Sequence, residues 1–330
     1  MGDLIAERGP SNKINIEVFN GLQKTITGWP GGKPNADDSS RPERALPYPK
    51  RVVVFSPHPD DDVISMGGTL SRLVEQGHEV HVVYQTSGAI AVHDDDVIRY
   101  IDFAAHFNER NQFVHEDSSH LFKQIKSDIA RKKPGDADTE AIRNVKLLIR
   151  QGEAEAACRF LNIPRKNAHF LEMPFYDTGR AAKKPLSDQD IKLITDLLTK
   201  IQPHQIYAAG DLSDPHGTHR VCLEAVLKAL DQLQNESWML DCRVWFYRGA
   251  WQEWDVGDID MAVPISPDEL VVKRKAIFKH QSQKDKALFP GSDEREFWQR
   301  SEDRNRATAK LYNLVGMAEY EAIEAFVRWK

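Results

Sequence analysis

The sequence has little cysteine and no long apolar run. Its three cysteines, Cys158, Cys222 and Cys242, are widely spaced and form no CxxC pair, which excludes a disulfide framework and a cysteine-based zinc site. Reduced thiols of this kind are typical of the cytoplasm, where we expect the protein to reside. No segment approaches the roughly 20 apolar residues of a membrane-spanning helix, and the N-terminus lacks the profile of a signal peptide. We therefore expect a soluble protein with no membrane partner.

The sequence also lacks an excess of basic charge. Its formal net charge is −6 and its pI is about 6.1. Acidic and basic residues are interspersed, so no basic stripe is available to a phosphate backbone, and we expect no nucleic-acid partner. The chain is long, with 330 residues, and 41% of them are hydrophobic. This is enough to form the core of one large α/β domain or of two smaller ones.

The chain divides into an irregular beginning and an ordered remainder. Residues 1–50 show little apolar periodicity and are interrupted by glycine and proline, which predicts a linker or wrapping arm. Residues 52–55 form a β-branched and aromatic run typical of a strand buried on both faces. Residues 69–76 have a helical pattern, and residues 79–85 form a second strand. A strand, a helix and a strand within about 35 residues form a βαβ unit with parallel strands.

The same alternation continues through residues 51–330, which we expect to form one domain. Further strands are predicted at residues 168–173, 205–209 and 243–247, and further helices at residues 142–161, 188–201 and 219–233. This order predicts an open, doubly wound, mostly parallel α/β sheet with helices on both faces. A charged insertion with helical stretches at residues 93–143 could form a lid or a contact surface.

The C-terminal part, from Pro267 onward, is predicted to consist of helices. A loop at residues 289–292 joins them, and the pattern from Ala318 to Trp329 predicts a final amphipathic helix. The sequence contains no internal repeat.

The strongest chemical signal is the segment PHPDDD at residues 57–62, directly after the first strand. In open α/β sheets, ligands bind at the carboxyl ends of the strands. Three carboxylates beside a histidine repel one another and are costly to bury unless a cation compensates them. A bound divalent metal is the simplest explanation.

A second signal, DPHGTH at residues 214–219, follows a predicted strand and begins a predicted helix. If both segments lie at the same sheet edge, His58, Asp61 and His219 form a His/Asp/His site with one coordination position left for water. Three protein ligands are the pattern of a catalytic zinc site, whereas structural sites are closed by four. We expect one Zn²⁺ per chain, although Fe²⁺ and Co²⁺ accept similar ligands.

The remaining polar residues of these segments fit the hydrolysis of an amide. Metal coordination lowers the pKa of water from 15.7 to roughly 7, and a nearby carboxylate must then carry the proton to the leaving nitrogen. Asp60, adjacent to a ligand but pointing elsewhere, suits this role of general base. His216 could donate to the tetrahedral oxyanion, with Asp214 orienting it. Asp62 could hold a ligand imidazole.

These motifs resemble those of the LmbE-like or PIG-L-like zinc N-deacetylases. That family has a strand followed by (A/P)HPDD(E/D) and a later HxxH, and residues 57–62 and 216–219 match both in the correct order. The resemblance spans about residues 51–283, with Arg150 and Glu153 resembling an RxxE element and HQSQ at the end resembling (H)xSQ. The resemblance implies a Rossmann-like sheet. It also implies these roles: zinc ligands for His58, Asp61 and His219, general base for Asp60, electrostatic or acid partner for His216, and a position near bound sugar for Arg150.

Two positions depart from the family pattern. Asp62 replaces the usual glutamate, which changes the geometry around the ligands, and HGTH replaces the common HPDH, which removes an aspartate from the substrate side. The whole chain looks most like the C-terminal half of fusion proteins whose N-terminal half resembles a glucosamine-6-phosphate deaminase. The resemblance therefore implies a fused deaminase-like domain as a partner. A homo-oligomer is also compatible with the sequence.

Simpler interpretations exist for several of these residues. The HPDD segment could be a turn and a helix cap, and the later histidines could be polar residues of a first helical turn. Arg150 and Glu153, at helical spacing, are compatible with a surface ion pair as well as with substrate contacts. Ser87, after the second strand, is compatible with an ordinary turn as well as with a ligand contact.

The sequence therefore predicts a metal-dependent N-deacetylase that hydrolyses the N-acetyl or N-acyl amide of a small-molecule amino sugar, with attack by metal-activated water. Two alternatives remain open. One is a nucleotide-binding Rossmann module, favoured by the fold class and Gly67-Gly68, although no GxGxxG follows the first strand. The other is a non-catalytic sugar-binding domain of a larger sugar-metabolism protein, favoured by the motif departures and the linker-like arm.

Overall fold

The computed structural model describes residues 2–36, 39, 44, 46–113, 116–176, 182–214, 217–249, 251–283 and 295–329. The helices are α1 (Gly2–Arg8), α2 (Ser11–Thr25), α3 (Asp61–Glu75), α4 (Asp94–Arg110), α5 (Glu116–Arg131), α6 (Glu140–Phe160), α7 (Asp188–Ile201), α8 (Thr218–Leu233), α9 (Pro267–Ile277) and α10 (Phe297–Leu314). The strands are β1 (Arg51–Ser56), β2 (Glu79–Tyr84), β3 (Ala168–Phe170), β4 (Gln205–Ala209), β5 (Arg243–Tyr247), β6 (Met261–Ile265) and β7 (Ala322–Arg328).

The strands form one sheet in the order β3-β2-β1-β4-β5-β7-β6. The first five are parallel, and β7 runs antiparallel to both of its neighbours. The predicted open, mostly parallel α/β sheet is therefore confirmed. From β1 the chain proceeds outward to β2 and β3, and it then returns to add β4 on the other side of β1. This reversal leaves a crevice between the carboxyl ends of β1 and β4, where open α/β sheets bind their ligands.

Alternate residues of β1 pack on opposite faces of the sheet. Val52 and Val54 belong to a buried cluster with residues of α3, α6 and α9, whereas Val53 and Phe55 belong to a second cluster with residues of α7 and α8. All four side chains are fully buried, which explains why β1 is a continuous apolar run. The expectation of helices on both faces is confirmed.

Residues 318–329 do not form the predicted amphipathic helix. Ala322–Arg328 instead form β7, which inserts between β5 and β6. The alternative was hard to predict because Glu324, in the middle of the strand, is fully buried. Its partner Lys273 lies far away in the chain, so no local pattern marks this acidic residue as interior. The strand β6 was also not predicted.

The first 50 residues contain two helices, α1 and α2, that the sequence analysis did not predict. After α2 the segment contacts the sheet, because Ile26 forms an isolated parallel bridge with Ala262 and Gln205 donates to the carbonyl of Pro30 at 3.1 Å. Its description as a linker or wrapping arm stays a prediction.

The insertion at residues 93–143 contains α4 and α5, which pack on the beginning of α6. Val97, Ile101, Ile125 and Ile142 form a small buried cluster between these three helices. The expected helical content is confirmed, whereas its role as a lid or contact surface stays open. In the described parts of the chain, none of the helices combines the length and apolar character needed to cross a bilayer.

Helix α3 begins at Asp61, earlier than the predicted start at residue 69, and it is kinked at Met66, whose φ is −137°. The kink frees the amides of Gly68 and Thr69, which donate to the two carboxylate oxygens of Glu324 at 3.1 and 2.6 Å. The first helical turn is therefore oriented separately from the rest of α3. That first turn carries part of the candidate site.

Candidate active site

His58, Asp61 and His219 meet at the carboxyl ends of β1 and β4. One ligand atom from each lies within 4.8 Å of the others. The Asp61 Oδ2 atom lies 3.1 Å from His58 Nδ1 and 3.2 Å from His219 Nε2. Among the residues that the structure describes, no other three His, Cys, Asp or Glu side chains have this spacing. The two sequence segments that carry the motifs are therefore brought to one point.

The turn after β1 is shaped by hydrogen bonds to Ser56. The Ser56 hydroxyl donates to the backbone carbonyl of His58 at 2.6 Å and accepts from the backbone amide of Asp62 at 3.1 Å. The backbone amide of His58 in turn donates to the Asp61 carboxylate at 2.9 Å. This tight turn places an imidazole and a carboxylate three residues apart on the same side of the sheet edge.

The backbone holds His219 in one tautomer. Its Nδ1 atom lies 3.0 Å from the backbone carbonyl of Asp211. Because a carbonyl only accepts, Nδ1 carries the hydrogen and Nε2 faces the Asp61 carboxylate. A neutral imidazole would direct a lone pair at that carboxylate, so the arrangement requires a cation between them or a proton on Nε2. One carboxylate and two imidazoles of this kind fit a divalent transition metal.

The charges of the site are strongly coupled. Burial alone would raise the pKa of Asp61, but the adjacent His219 and His58 imidazoles outweigh burial and hold that pKa well below its usual range. Burial alone would lower the pKa of His219, but the Asp61 carboxylate outweighs burial and raises it to about 9. At neutral pH the pair therefore consists of an ionised Asp61 and a protonated His219, and a divalent cation bound between them would release that one proton.

Asp60 lies beside the cluster and pairs with Arg150 of α6. The Arg150 Nη2 atom lies 3.2 Å from Asp60 Oδ2 and donates to the backbone carbonyl of Pro59 at 2.6 Å. Burial raises the pKa of Asp60, and the guanidinium opposes that rise. Arg150 and Glu153 are 1% and 5% exposed, so they do not form the surface ion pair that helical spacing also allowed.

Asp62 is buried away from the ligand imidazoles. Its Oδ1 atom lies 3.2 Å from the Ser56 hydroxyl oxygen, and its Oδ2 atom accepts from the Tyr84 hydroxyl at 3.4 Å. Burial raises its pKa to about 7. Within the described part of the chain its hydrogen bonds include none with an imidazole, so a role in holding a ligand imidazole has no contact to support it.

The other predicted site residues have local partners or lie outside the described residues. His216 is outside the described residues, so its role and its orientation by Asp214 stay predictions. Asp214 accepts from the backbone amide of Thr218 at 2.7 Å, at the first turn of α8. The Ser87 hydroxyl accepts from the backbone amide of Ala89 at 3.3 Å, which is a turn contact. Glu153 accepts from the backbone amide and from the hydroxyl of Ser282.

Asp211 is a residue of the site that the sequence analysis missed. Besides its carbonyl contact with His219, its carboxylate accepts from the backbone amide of Gln252 at 3.0 Å. It therefore joins the crevice to the segment after β5. Its position just beyond the carboxyl end of β4 was the available signal, since that edge is where α/β sheets place functional groups.

The glycine pair of α3 has a structural explanation. A Cβ atom at Gly68 would lie 2.8 Å from Cδ1 of Ile265, so glycine lets β6 approach α3 closely and a larger residue would displace the Ile265 side chain. The amides of Gly68 and Thr69, which a phosphate would need, already donate to Glu324. These contacts remove one of the two features that favoured a nucleotide-binding module, the glycine pair, and leave the fold class as the other.

Comparisons with known proteins show the family of this chain. Residues 53–230 match the PIG-L family, described as GlcNAc-PI de-N-acetylase. The chain belongs to the PIG-L family. A glucosamine-6-phosphate deaminase-like protein of Bacteroides thetaiotaomicron is 57% identical over 332 aligned residues, covering 100% of this chain and 50% of that protein. The chain thus spans about half the length of this curated relative.

Solved structures show the same fold. The N,N'-diacetylchitobiose deacetylase of Pyrococcus horikoshii has a TM-score of 0.51 and 21% identity, covering 85% of this chain and 84% of that one. GalB, the 4-carboxy-2-hydroxymuconate hydratase of Pseudomonas putida, has a TM-score of 0.52 and 19% identity, covering 85% and 96%. Two different reactions thus occur on folds like that of this PIG-L family chain, so the reaction must be argued from the site.

Proposed function

We propose that this chain is a metal-dependent N-deacetylase that hydrolyses the N-acetyl, or another small N-acyl, amide of an amino sugar. The observation that carries the proposal is the convergence of His58, Asp61 and His219 next to a separate buried carboxylate, Asp60. Membership of the PIG-L family supports the same reaction class. Binding of a sugar without turnover would not require a general base at this position.

The three ligand residues would hold the cation, with Zn²⁺ as the expected metal. A divalent ion held there would supply Lewis acidity, which lowers the pKa of a coordinated water to roughly 7 and polarises an amide carbonyl. The Asp211 carbonyl fixes the tautomer of His219, and the His58 amide fixes the Asp61 carboxylate. The protein therefore presents these donor atoms in a prepared arrangement and needs little reorganisation when substrate binds.

Asp60 is the proposed general base, which carries the proton during the reaction. Its carboxylate is adjacent in sequence to the ligand Asp61 but pairs with Arg150 and is not one of the three clustered ligands, so it is free of the role of ligand. In the proposed reaction Asp60 Oδ accepts the proton of the attacking water, the C–N bond of the tetrahedral adduct breaks, and Asp60 returns the proton to the leaving nitrogen. The products are a carboxylic acid and a primary amine, which become a carboxylate and an ammonium ion when the acid proton passes to the amine. His216 is the proposed donor to the oxyanion.

The substrate class is proposed from the family and from the relatives. The family description names N-acetylglucosamine in a lipid-linked form, and the solved relative acts on N,N'-diacetylchitobiose. The curated relative is named for similarity to an enzyme of glucosamine 6-phosphate and is twice as long as this chain. A fused deaminase-like domain is therefore the proposed partner, and both free and phosphorylated N-acetylglucosamine are candidate substrates.

Acetate release tests the proposal directly. Purified protein, stripped of metal and reloaded with Zn²⁺, is incubated with N-acetylglucosamine, its 6-phosphate, N,N'-diacetylchitobiose and their N-propionyl analogues. We expect stoichiometric acetate and primary amine from at least one N-acetyl compound. Ammonia release without acetate would indicate deaminase chemistry. Saturable sugar binding with no acetate from any compound would favour the sugar-binding alternative.

Metal content gives a second prediction. The unmodified protein is expected to bind about one equivalent of divalent metal. Asp61→Asn removes the charge shared by both imidazoles, so we expect its metal affinity to fall by more than the roughly 10- to 100-fold that loss of an outer partner causes. Elemental analysis after equilibrium dialysis measures it. His106→Ala, an exposed residue of α4, is the control. Unchanged metal content in Asp61→Asn would contradict the ligand assignment.

A further inference from the structure

A buried chain of contacts joins the C-terminal part of the protein to Asp60. It starts at the single helical turn Gln281–Gln283, where Ser282 contacts Glu153 of α6. The Ser282 backbone amide donates to Glu153 Oε1 at 2.6 Å, and the Ser282 hydroxyl donates to Glu153 Oε2 at 2.7 Å. Both carboxylate oxygens of Glu153 are therefore engaged inside the protein. This differs from the substrate contact that the sequence analysis expected for Glu153.

The chain continues through Arg150. Its Nη1 atom lies 3.9 Å from Glu153 Oε2, and its Nη2 atom contacts Asp60 and the carbonyl of Pro59. Within the described residues, Nε and Nη1 make no hydrogen bond. The orientation of the guanidinium thus depends on the contacts of Nη2 and on the charge of Glu153. Gly88 also matters, because a Cβ there would lie 3.0 Å from Arg150 Nε.

We propose that Glu153 and Ser282 are positioning residues that hold Arg150, and through it the carboxylate of Asp60, in the orientation needed for proton transfer. The inference rests on the proposed deacetylase function. The physical basis is distance: a displacement of about 1 Å at a reacting group can reduce turnover by about 100-fold. Arg150 and Glu153 lie one helical turn apart on α6, so the helix sets their spacing and the Ser282 contact sets the direction of the carboxylate.

Substitution of Glu153 and Ser282 tests the proposal by its effect on kcat. Glu153→Gln removes the negative charge beside Arg150 and places an amide NH₂ where a donor of Ser282 points. We expect kcat to fall about 10- to 100-fold, with KM within twofold and one equivalent of metal retained. Ser282→Ala is expected to lower kcat less, and Ser282→Thr, which keeps the hydroxyl, to restore most of it. A raised KM with unchanged kcat would overturn the proposal in favour of a substrate contact.

A double variant separates positioning from a general structural effect. If Glu153 acts through Asp60, adding Glu153→Gln to Asp60→Asn should change the residual kcat by less than twofold, because the group being positioned is already absent. A further tenfold loss in that background would overturn the proposal. Glu155→Gln, on the same helix and paired with Arg165, is the matched control and should keep kcat within twofold.

A crystal structure of Glu153→Gln provides a test that needs no turnover. We expect the contact between Asp60 Oδ2 and Arg150 Nη2, which is 3.2 Å in the unmodified protein, to be lost. An unchanged contact would overturn the positioning role. Absence of acetate release from the unmodified protein would instead count against the proposed function, so the two failures are distinguishable.

Discussion

Replacement of Asp60 by asparagine is expected to lower kcat by about 10²- to 10⁴-fold while the protein keeps its full metal content. Asparagine has nearly the same shape and can still accept from Arg150, so the buried turn should persist. It cannot take a proton from the attacking water or return one to the leaving nitrogen, so both proton transfers of the reaction lose their carrier. Metal retention follows because Asp60 is not one of the three clustered ligands. Initial rates of acetate release and elemental analysis of the same sample measure both quantities.

Two controls make the Asp60 result specific. Asp60→Ala excludes slow hydrolysis of the new asparagine back to aspartate, and it should be at least as inactive. Asp95→Asn removes one charge from an exposed position on α4 and should leave kcat unchanged. Turnover near that of the unmodified protein in metal-loaded Asp60→Asn would remove Asp60 from the role of general base.

The second large effect is expected at the buried ion pair of Lys273 and Glu324. Both side chains are 0% exposed, with Lys273 Nζ 2.7 Å from Glu324 Oε1 and 2.7 Å from Asn305 Oδ1. Lys273→Met leaves the carboxylate of Glu324 buried without its cation. Removing one partner of a buried pair destabilises a protein by about 3–5 kcal/mol, which is a large fraction of ordinary stability. Denaturant unfolding of the metal-loaded protein measures the change.

The matched comparison for Lys273→Met is Lys275→Met on the same helix. Lys275 is exposed, so we expect a change within about 0.5 kcal/mol. The double variant Lys273→Met/Glu324→Gln removes the unpaired charge and should be less destabilised than the sum of the two single variants. Strict additivity of the two single effects would show that the pair is not coupled. A loss below 1 kcal/mol in Lys273→Met would contradict the assigned burial.

This ion pair also connects stability to the site. Glu324 accepts from the amides of Gly68 and Thr69, which the kink at Met66 frees. It therefore anchors α3 just after the kink, whereas the first turn, before the kink, carries the ligand Asp61. In the sequence, the fold class and Gly67-Gly68 favoured a nucleotide-binding Rossmann module as one alternative. Only the tertiary structure shows that a carboxylate from β7, more than 250 residues later in the chain, occupies those amides.

The part of the site that could be predicted from the sequence is the part whose residues lie together in one short motif. PHPDDD directly follows a buried strand, so position alone places His58, Asp60 and Asp61 at the carboxyl edge of the sheet. The contribution of His219 required the further assumption that two parallel strands lie side by side, and the pairing of β1 with β4 confirms it. Asp62 illustrates the limit, because its neighbours Ser56 and Tyr84 come from adjacent strands and not from the motif.

By itself, the amino-acid sequence determined the alternation of strands and helices, the parallel sheet and the identity of the clustered ligands, since apolar periodicity and turn residues act over a few positions. The tertiary structure decided that Ala322–Arg328 form a strand, that Asp211 fixes the tautomer of His219 and that Glu153 contacts Ser282. The strand pairing and the Glu153 contact join residues far apart in the chain, and the Asp211 contact, although it spans only eight residues, depends on how the loop after β4 folds back on α8. Their energies outweigh local preference, and no short stretch of sequence records them.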